Sequence, residues 1–309
     1  MHTQKAMVRV LVLLVLAALL ATACGGGGSE QAAAQCEEYK GTVRVGSKDF
    51  TEQLILGEIL SQLLEANCYQ VERKLNLGGT LINHEALVNG EIDLYAEYTG
   101  TGLVNILKQE SVTDPQAAYD TVKRMYEERW NLHWLEPLGL NNTYALAMEK
   151  EDAQRLGISR ISDLKDHAGD LTLVSTHEFQ ERPDGLPGLQ ETYGFKFGKT
   201  RSVDTGLKYQ VLVEDQADVM VAFATDGKLA EYDLVVLEDD LRFFPPYYVA
   251  PVVRGDVLEK HPELGEILNQ LAGRLPDEEA RELNRRVEVD GEEPADVARD
   301  WLRREDLLP

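Results

Sequence analysis

Cysteine, histidine and positive charge are all scarce in this chain, and each shortage closes off a class of chemistry. Among 309 residues there are 31 Lys and Arg against 54 Asp and Glu, a formal net charge of -23. Such a chain lacks the basic face that phosphate backbones require, which excludes nucleic acid and broad adhesion to anionic lipid. The acidity reads as solubility. With three cysteines and six histidines, no Cys-x-x-Cys, no His pair and no His-Glu-x-x-His arises, so neither metal nor cofactor is expected. There is no Gly-x-Ser-x-Gly elbow and no Gly-x-x-x-x-Gly-Lys-Ser/Thr phosphate loop. His84 and Glu85 are neighbours on a predicted helix and point apart. His133, His177 and His261 have no evident partners. Glu127-Glu128 and Asp239-Asp240 read as solvated surface. The chain is therefore not expected to be an enzyme, and it contains no internal repeat.

Long apolar runs are missing too. Residues 10–20 are apolar but too short for a comfortable membrane span, and His2, Lys5 and Arg9 precede them. This is the layout of a signal peptide. The run ends Leu20-Ala-Thr-Ala-Cys24 and is followed by four glycines, residues 25–28. Small residues before a cysteine, then a flexible tether, resemble a bacterial lipoprotein cleavage site. Ala21 departs from it, since leucine is usual there and Leu20 lies one place early. The expectation is removal of residues 1–23, lipidation of Cys24 and a tether over residues 24–40. A plain secretory signal cleaved near Ala23 is the other reading. Loss of Lys5 and Arg9 takes the net charge to -25. Export places Cys36 and Cys68 in an oxidising compartment. They read as a disulfide pinning the tether to the first lobe, or as two unpaired thiols.

The length suits two lobes, each with its own core. Residues 43–45 start a strand. Apolar residues at 54, 55, 59, 60, 63 and 64 make a helical stripe. Residues 69–75 alternate like a strand. A helix through residue 88 follows Gly78-Gly79, with Thr80 as its expected N-cap. A short strand at 92–95 and a helix at 115–130 complete a first α/β set. Strand candidates at 144–148, 171–175, 219–222 and 234–237, with helices between them, make a second set. Residues 247–253 carry the chain onward, and 256–308 read as mostly helical. Tyr95, Trp130 and Trp134 are expected in the core.

Six short motifs punctuate this pattern. They are Gly46-Ser-Lys48-Asp-Phe50-Thr-Glu-Gln53, Asp93-Leu-Tyr95-Ala-Glu97-Tyr98-Thr-Gly-Thr101, Asn141-Asn-Thr-Tyr144, Arg182-Pro-Asp-Gly-Leu-Pro-Gly188, Ala222-Phe223-Ala-Thr-Asp-Gly227 and Phe244-Pro-Pro-Tyr247. Each delivers a ring, a cation or a hydroxyl at an expected strand end or turn. In order and spacing they resemble the substrate-binding proteins of glycine betaine/choline-type osmoprotectant ABC transporters, over nearly the whole chain after the signal.

The resemblance implies an α/β, two-lobed type II periplasmic-binding-protein fold with the ligand cleft between lobes. It sets lobe I at residues 41–141 and 246–309, and lobe II at 142–245. It implies an aromatic cage of Tyr98, Tyr144, Phe223 and Tyr247 around a quaternary ammonium, which offers no hydrogen bond and is held by ring faces. Phe223 departs from the usual tyrosine, keeping the ring face without the hydroxyl. Lys48, Thr101 and Arg182 are the implied carboxylate ligands, and their types suit the task. Asn142 is a further polar candidate. Choline, lacking the carboxylate, is then expected to bind worse than glycine betaine.

Closure of the lobes on the ligand would precede docking on a membrane permease, with ATP hydrolysed by a separate subunit. The expected molecule is an exported, lipid-anchored monomer at the outer face of the cytoplasmic membrane or in the periplasm. Its ligand would be glycine betaine, proline betaine, carnitine or choline. An amino-acid or small-anion receptor on the same fold, or a ligand-sensing domain, stays open beside this reading.

Overall fold

A computed structural model describes residues 36–308. The expectations for residues 1–23, for Cys24 and for the tether before Cys36 lie outside the described residues. Cys36 and Cys68 are bonded to each other. The link joins the entry of the chain to the end of its first helix.

Two five-stranded sheets organise the described residues. The first contains β1 (Thr42–Gly46), β2 (Gln70–Lys74), β3 (Leu94–Tyr98), β4 (Leu132–Trp134) and β10 (Val249–Arg254), in the order β2-β1-β3-β10-β4. The second contains β5 (Tyr144–Glu149), β6 (Thr172–Ser175), β7 (Lys199–Ser202), β8 (Val219–Phe223) and β9 (Leu234–Val236), in the order β7-β6-β8-β5-β9. In each sheet one strand runs against its neighbours: β10 between β3 and β4, and β5 between β8 and β9. Of these two, β10 returns to the first sheet after the chain has supplied every strand of the second.

The first helix, α1 (Thr51–Ala66), buries Ile55, Leu56, Ile59, Leu60, Leu63 and Leu64. Its remaining faces are covered too, because helices from the C-terminal end pack around it. Helix α6 (Asp277–Glu288) and helix α7 (Pro294–Arg304) return from the C-terminal end to pack on it. Helix α7 turns Val297, Ala298, Trp301 and Leu302 inward, a spacing that keeps one face apolar. Helix α2 (Thr80–Val88) follows Gly79, and α3 (Pro115–Trp130) starts after Asp114. The Asp114 side chain accepts from the Ala117 N–H at 2.7 Å, and Pro115 needs no partner for a missing N–H. In the second half, α4 (His177–Glu181) borders the cleft, and α5 (Lys208–Val213) packs against β8.

Tyr95 and Trp134 are core residues at 0% and 1% exposure, and the Tyr95 hydroxyl donates to Glu97 at 2.9 Å. Trp130 is only partly buried, packed edge-on against Tyr126. Asp239 departs from the solvated role expected for it. It accepts from the Tyr193 hydroxyl and from the Phe243 and Phe244 N–H groups, which folds residues 239–244 into a turn.

Two segments cross between the sheets side by side. Asn142 N–H donates to the Tyr247 carbonyl at 3.2 Å, and Tyr247 N–H donates to Asn141 Oδ1 at 2.7 Å. Gly100 lets the chain after β3 approach the second of these segments closely. A Cβ there would stand 2.8 Å from both the Pro246 carbonyl and the Tyr247 ring.

Candidate ligand-binding site

The ends of four strands converge on one cleft of about 680 Å³. Tyr98 ends β3, Tyr144 begins β5, Phe223 ends β8 and Tyr247 lies just before β10. Strand register explains the convergence. Tyr144 is paired directly across from Phe223, and Tyr98 across from Val249, two residues beyond Tyr247. The ring centroids of Tyr144 and Phe223 are 5.2 Å apart, and those of Tyr144 and Tyr247 are 5.4 Å apart at nearly right angles. Phe50, just before α1, completes the group. It stacks on Phe223 at 5.5 Å and on Tyr98 at 6.3 Å.

Two of the three hydroxyls on these rings, those of Tyr98 and Tyr247, are tied back into the protein. Tyr98 donates to Glu52 Oε1 at 2.7 Å and accepts from Gln53 at 3.1 Å. Tyr247 donates to Asp184 at 2.7 Å. Burial raises the pKa of Tyr98, Tyr144 and Tyr247, so all three remain neutral phenols.

Lys48, Thr101, Arg182 and Asn142 line the same cleft. Lys48 and Arg182 are not surface cations, at 4% and 3% exposure. Each is held by carboxylates of the protein. Lys48 Nζ donates to Glu97 at 2.6 Å and to the Thr80 hydroxyl at 3.1 Å. Arg182 grips Asp184 through Nε and Nη2, reaches Glu178 through Nη1 at 2.9 Å, and donates to Thr101 at 3.2 Å. Burial works against ionisation of Glu178, but Arg182 and Lys48 outweigh it and bring its pKa down to about 2. Thr80 is the first residue of α2 and Gly79 its N-cap, so Thr80 is not the cap expected from sequence. Its hydroxyl serves Lys48 and Glu178 instead.

Glu52 lies behind the rings as a buried carboxylate. It collects hydrogen bonds from Tyr98, Asn142, Thr225 and Asn284. Burial raises its pKa and these donors oppose the shift. Thr225 follows β8 of the second sheet, whereas Glu52 and Asn284 belong to helices packed on the first. One carboxylate therefore ties both halves together beneath Tyr98.

The same fold recurs in solved structures. A crystal structure of a glycine betaine/carnitine/choline ABC transporter protein aligns with a TM-score of 0.71 at 33% identity, covering 86% of this chain and 98% of that one. The family described as the substrate binding domain of ABC-type glycine betaine transport systems matches residues 41–304. This chain belongs to that family. The glycine-betaine-binding protein of Pseudomonas aeruginosa is 40% identical, over 86% of this chain and 89% of that protein. The carnitine transport binding protein OpuCC of Listeria monocytogenes is 36% identical, over 86% and 87%. The ergothioneine transport permease/ergothioneine binding protein EgtU of Helicobacter pylori is 41% identical over 84% of this chain. The chain spans 47%, about half, of that relative's length.

The chain is thus a substrate-binding protein of a glycine betaine/carnitine-type ABC transporter, and the family's members bind solutes rather than catalyse reactions. Its fold is the two-lobed type II binding-protein fold. The family works outside the cytoplasm with an ABC permease. Among the described residues no helix is long and apolar enough to cross a membrane.

Sequence reasoning within this family missed Phe50, Glu178 and Glu52. Phe50 and Glu52 stand in the first motif quoted, beside Lys48, and Phe50 is an aromatic at a helix start. Glu178 lies outside every motif, four positions before Arg182 on a short helix. Lys208 was missed as well. It is 1% exposed, its Nζ has no hydrogen-bond partner among the described residues, and it sits 4.4 Å from the Phe223 ring centroid.

Proposed function

We propose that the chain captures a quaternary-ammonium betaine between its lobes and delivers it to a membrane permease. The observation that carries this reading is the ring cluster. Tyr98, Tyr144, Phe223 and Tyr247, joined by Phe50, meet from both sheets on one cleft. A methylated ammonium is held by such ring faces, and each desolvated contact contributes about 2 kcal/mol.

Lys48, Thr101 and Arg182 are proposed to receive the ligand's carboxylate, with Asn142 a further polar contact. An ammonium has three donors and Arg Nη1 has two. Lys48 spends two on Glu97 and Thr80, and Nη1 of Arg182 spends one on Glu178. Each cation keeps a donor for the ligand. Glycine betaine, proline betaine, carnitine and choline are the candidate ligands. Ergothioneine joins them through the Helicobacter relative's name.

With lobe I at residues 41–141 and 246–309 and lobe II at 142–245, the rings and cations divide between lobes. A ligand touching both stabilises the closed form. The remaining parts of the proposal are a signal peptide at 1–23, a lipid anchor on Cys24, a monomer, and a separate ATPase subunit.

The test is calorimetric titration with glycine betaine, choline and glycine. Saturable binding of glycine betaine with none of glycine supports the ring cluster as the site. Equal binding of choline removes Lys48 and Arg182 as carboxylate ligands. Silence from every methylated amine, with the protein shown folded, rejects the reading in favour of an amino-acid or small-anion receptor.

A further inference from the structure

The polar end of the cleft contains an acceptor that the cage does not use. Glu178 rises from α4, and its two carboxylate oxygens are unequally engaged. Oε1 accepts from the Thr80 hydroxyl at 2.7 Å, from Arg182 Nη1 at 2.9 Å and from Asn105 at 3.4 Å. Among the described residues Oε2 accepts only from the Thr80 N–H, at 3.3 Å. A carboxylate offers about four acceptor positions, two on each oxygen. Oε1 is saturated and fixes the group, whereas Oε2 retains capacity. The side chain is one-third exposed, at 33%, and faces the cleft. Gly79 keeps this oxygen uncovered, since a Cβ there would lie 2.9 Å from Oε2. The cleft of about 680 Å³ has room for more than a trimethylammonium group.

We infer that Glu178 is a specificity-determining residue whose Oε2 accepts a hydrogen bond from an O–H or N–H of the ligand, selecting betaines that carry such a donor. The inference rests on the quaternary-ammonium reading above. When the lobes close on a donor-free ligand, Oε2 loses water and gains nothing. A hydroxyl- or ring N–H-bearing betaine replaces that water. Discrimination of this kind is strong because the unmatched group is charged and is cut off from water when the lobes close.

The test compares carnitine with γ-butyrobetaine, which is the same molecule without the hydroxyl, in calorimetric titrations of the full chain in detergent. Glycine betaine and ergothioneine are titrated alongside. Carnitine is expected to bind at least about tenfold more tightly, the equivalent of one hydrogen bond to a charged group. Glu178→Gln keeps a carbonyl for the donors on Oε1 but turns an amide N–H₂ towards the cleft. Glu178→Ala removes the acceptor altogether. In both variants the carnitine preference should shrink to about twofold or less, with thermal melts showing that each is folded. Equal affinities in the unaltered protein, or a preference that survives both substitutions, overturn the inference. Failure of glycine betaine, carnitine, γ-butyrobetaine and ergothioneine alike rejects the quaternary-ammonium reading itself, and the role of Glu178 with it.

Discussion

Tyr144 allows the contribution of a ring face to be separated from that of a hydroxyl. Its centroid lies 5.2 Å from Phe223 and 5.4 Å from Tyr247, and the Arg182 guanidinium stands 5.5 Å from it. Its hydroxyl receives no hydrogen bond from a side chain among the described residues. Tyr144→Phe therefore removes nothing that a cation uses, and its affinity for glycine betaine should stay within about threefold of the original. Tyr144→Leu removes the ring face. A desolvated cation–ring contact is worth about 2 kcal/mol, which at 1.4 kcal/mol per decade is roughly a 30-fold loss. The ring also packs on Phe179 at 5.0 Å and Phe244 at 5.8 Å, so leucine leaves space and should cost about 1–3 kcal/mol of stability. Titration calorimetry is run well below the melting temperature of each variant, so that unfolding is not counted as lost affinity. If Tyr144→Leu binds glycine betaine within threefold of the unaltered protein, ring-face binding at this position is refuted. If Tyr144→Phe loses as much as Tyr144→Leu, the hydroxyl and not the face is what matters.

Two further predictions concern charges around the cleft. Lys208 is buried without a hydrogen-bond partner among the described residues, and burial lowers its pKa. Lys208→Met should raise stability by about 1–3 kcal/mol in a urea melt. A loss instead would mean that the contact with Phe223 and the attraction of Asp226 and Glu288 outweigh desolvation. Burial, followed by the charge of Asp226, raises the pKa of Glu288 to about 7. A folded-state value above the ordinary 4.5 favours the folded protein at low pH. That contribution is complete below the unfolded pKa and is lost as pH rises through 7. Melts should show the unaltered protein losing up to about 3 kcal/mol relative to Glu288→Gln across this window. Parallel pH profiles for the two proteins would refute the assignment.

What could be read from the sequence follows the range of the interactions. Strands and helices such as β1, α1 and α3 were legible because their signals are local: alternation, an apolar stripe, and Asp114 before Pro115. Tyr98, Tyr144, Phe223 and Tyr247 were singled out through motif context and do meet on one cleft. The partners of the cations were not legible. Lys48 finds Glu97 after 49 positions, and Thr80 finds Glu178 after 98. The first pairing depends on which strands become neighbours in one sheet and the second on how the two sheets face each other, and no local pattern encodes either. Thr80 illustrates the limit, because a hydroxyl at a helix start suggests a cap until a distant carboxylate claims it. Asp239 does so too, since its acidic neighbour made it look solvated while its oxygens organise a turn.

The placement of β10 has a consequence for the order in which the molecule assembles. Its partner residues Val249 and Tyr98 stand 151 positions apart, and β10 fills the gap between β3 and β4. Until that strand arrives, β3 presents an unpaired edge, and α1 lacks the covering of α6 and α7. The second sheet has no such debt, since all five of its strands come from one uninterrupted stretch, β5 to β9. Contacts between distant positions form slowly because the loop must close first. The later half of the cleft can therefore be finished before the earlier half, and Tyr144 and Phe223 can be in place while Tyr98 still awaits its neighbour. A chain that emerges from its amino end builds its binding site from the middle outward.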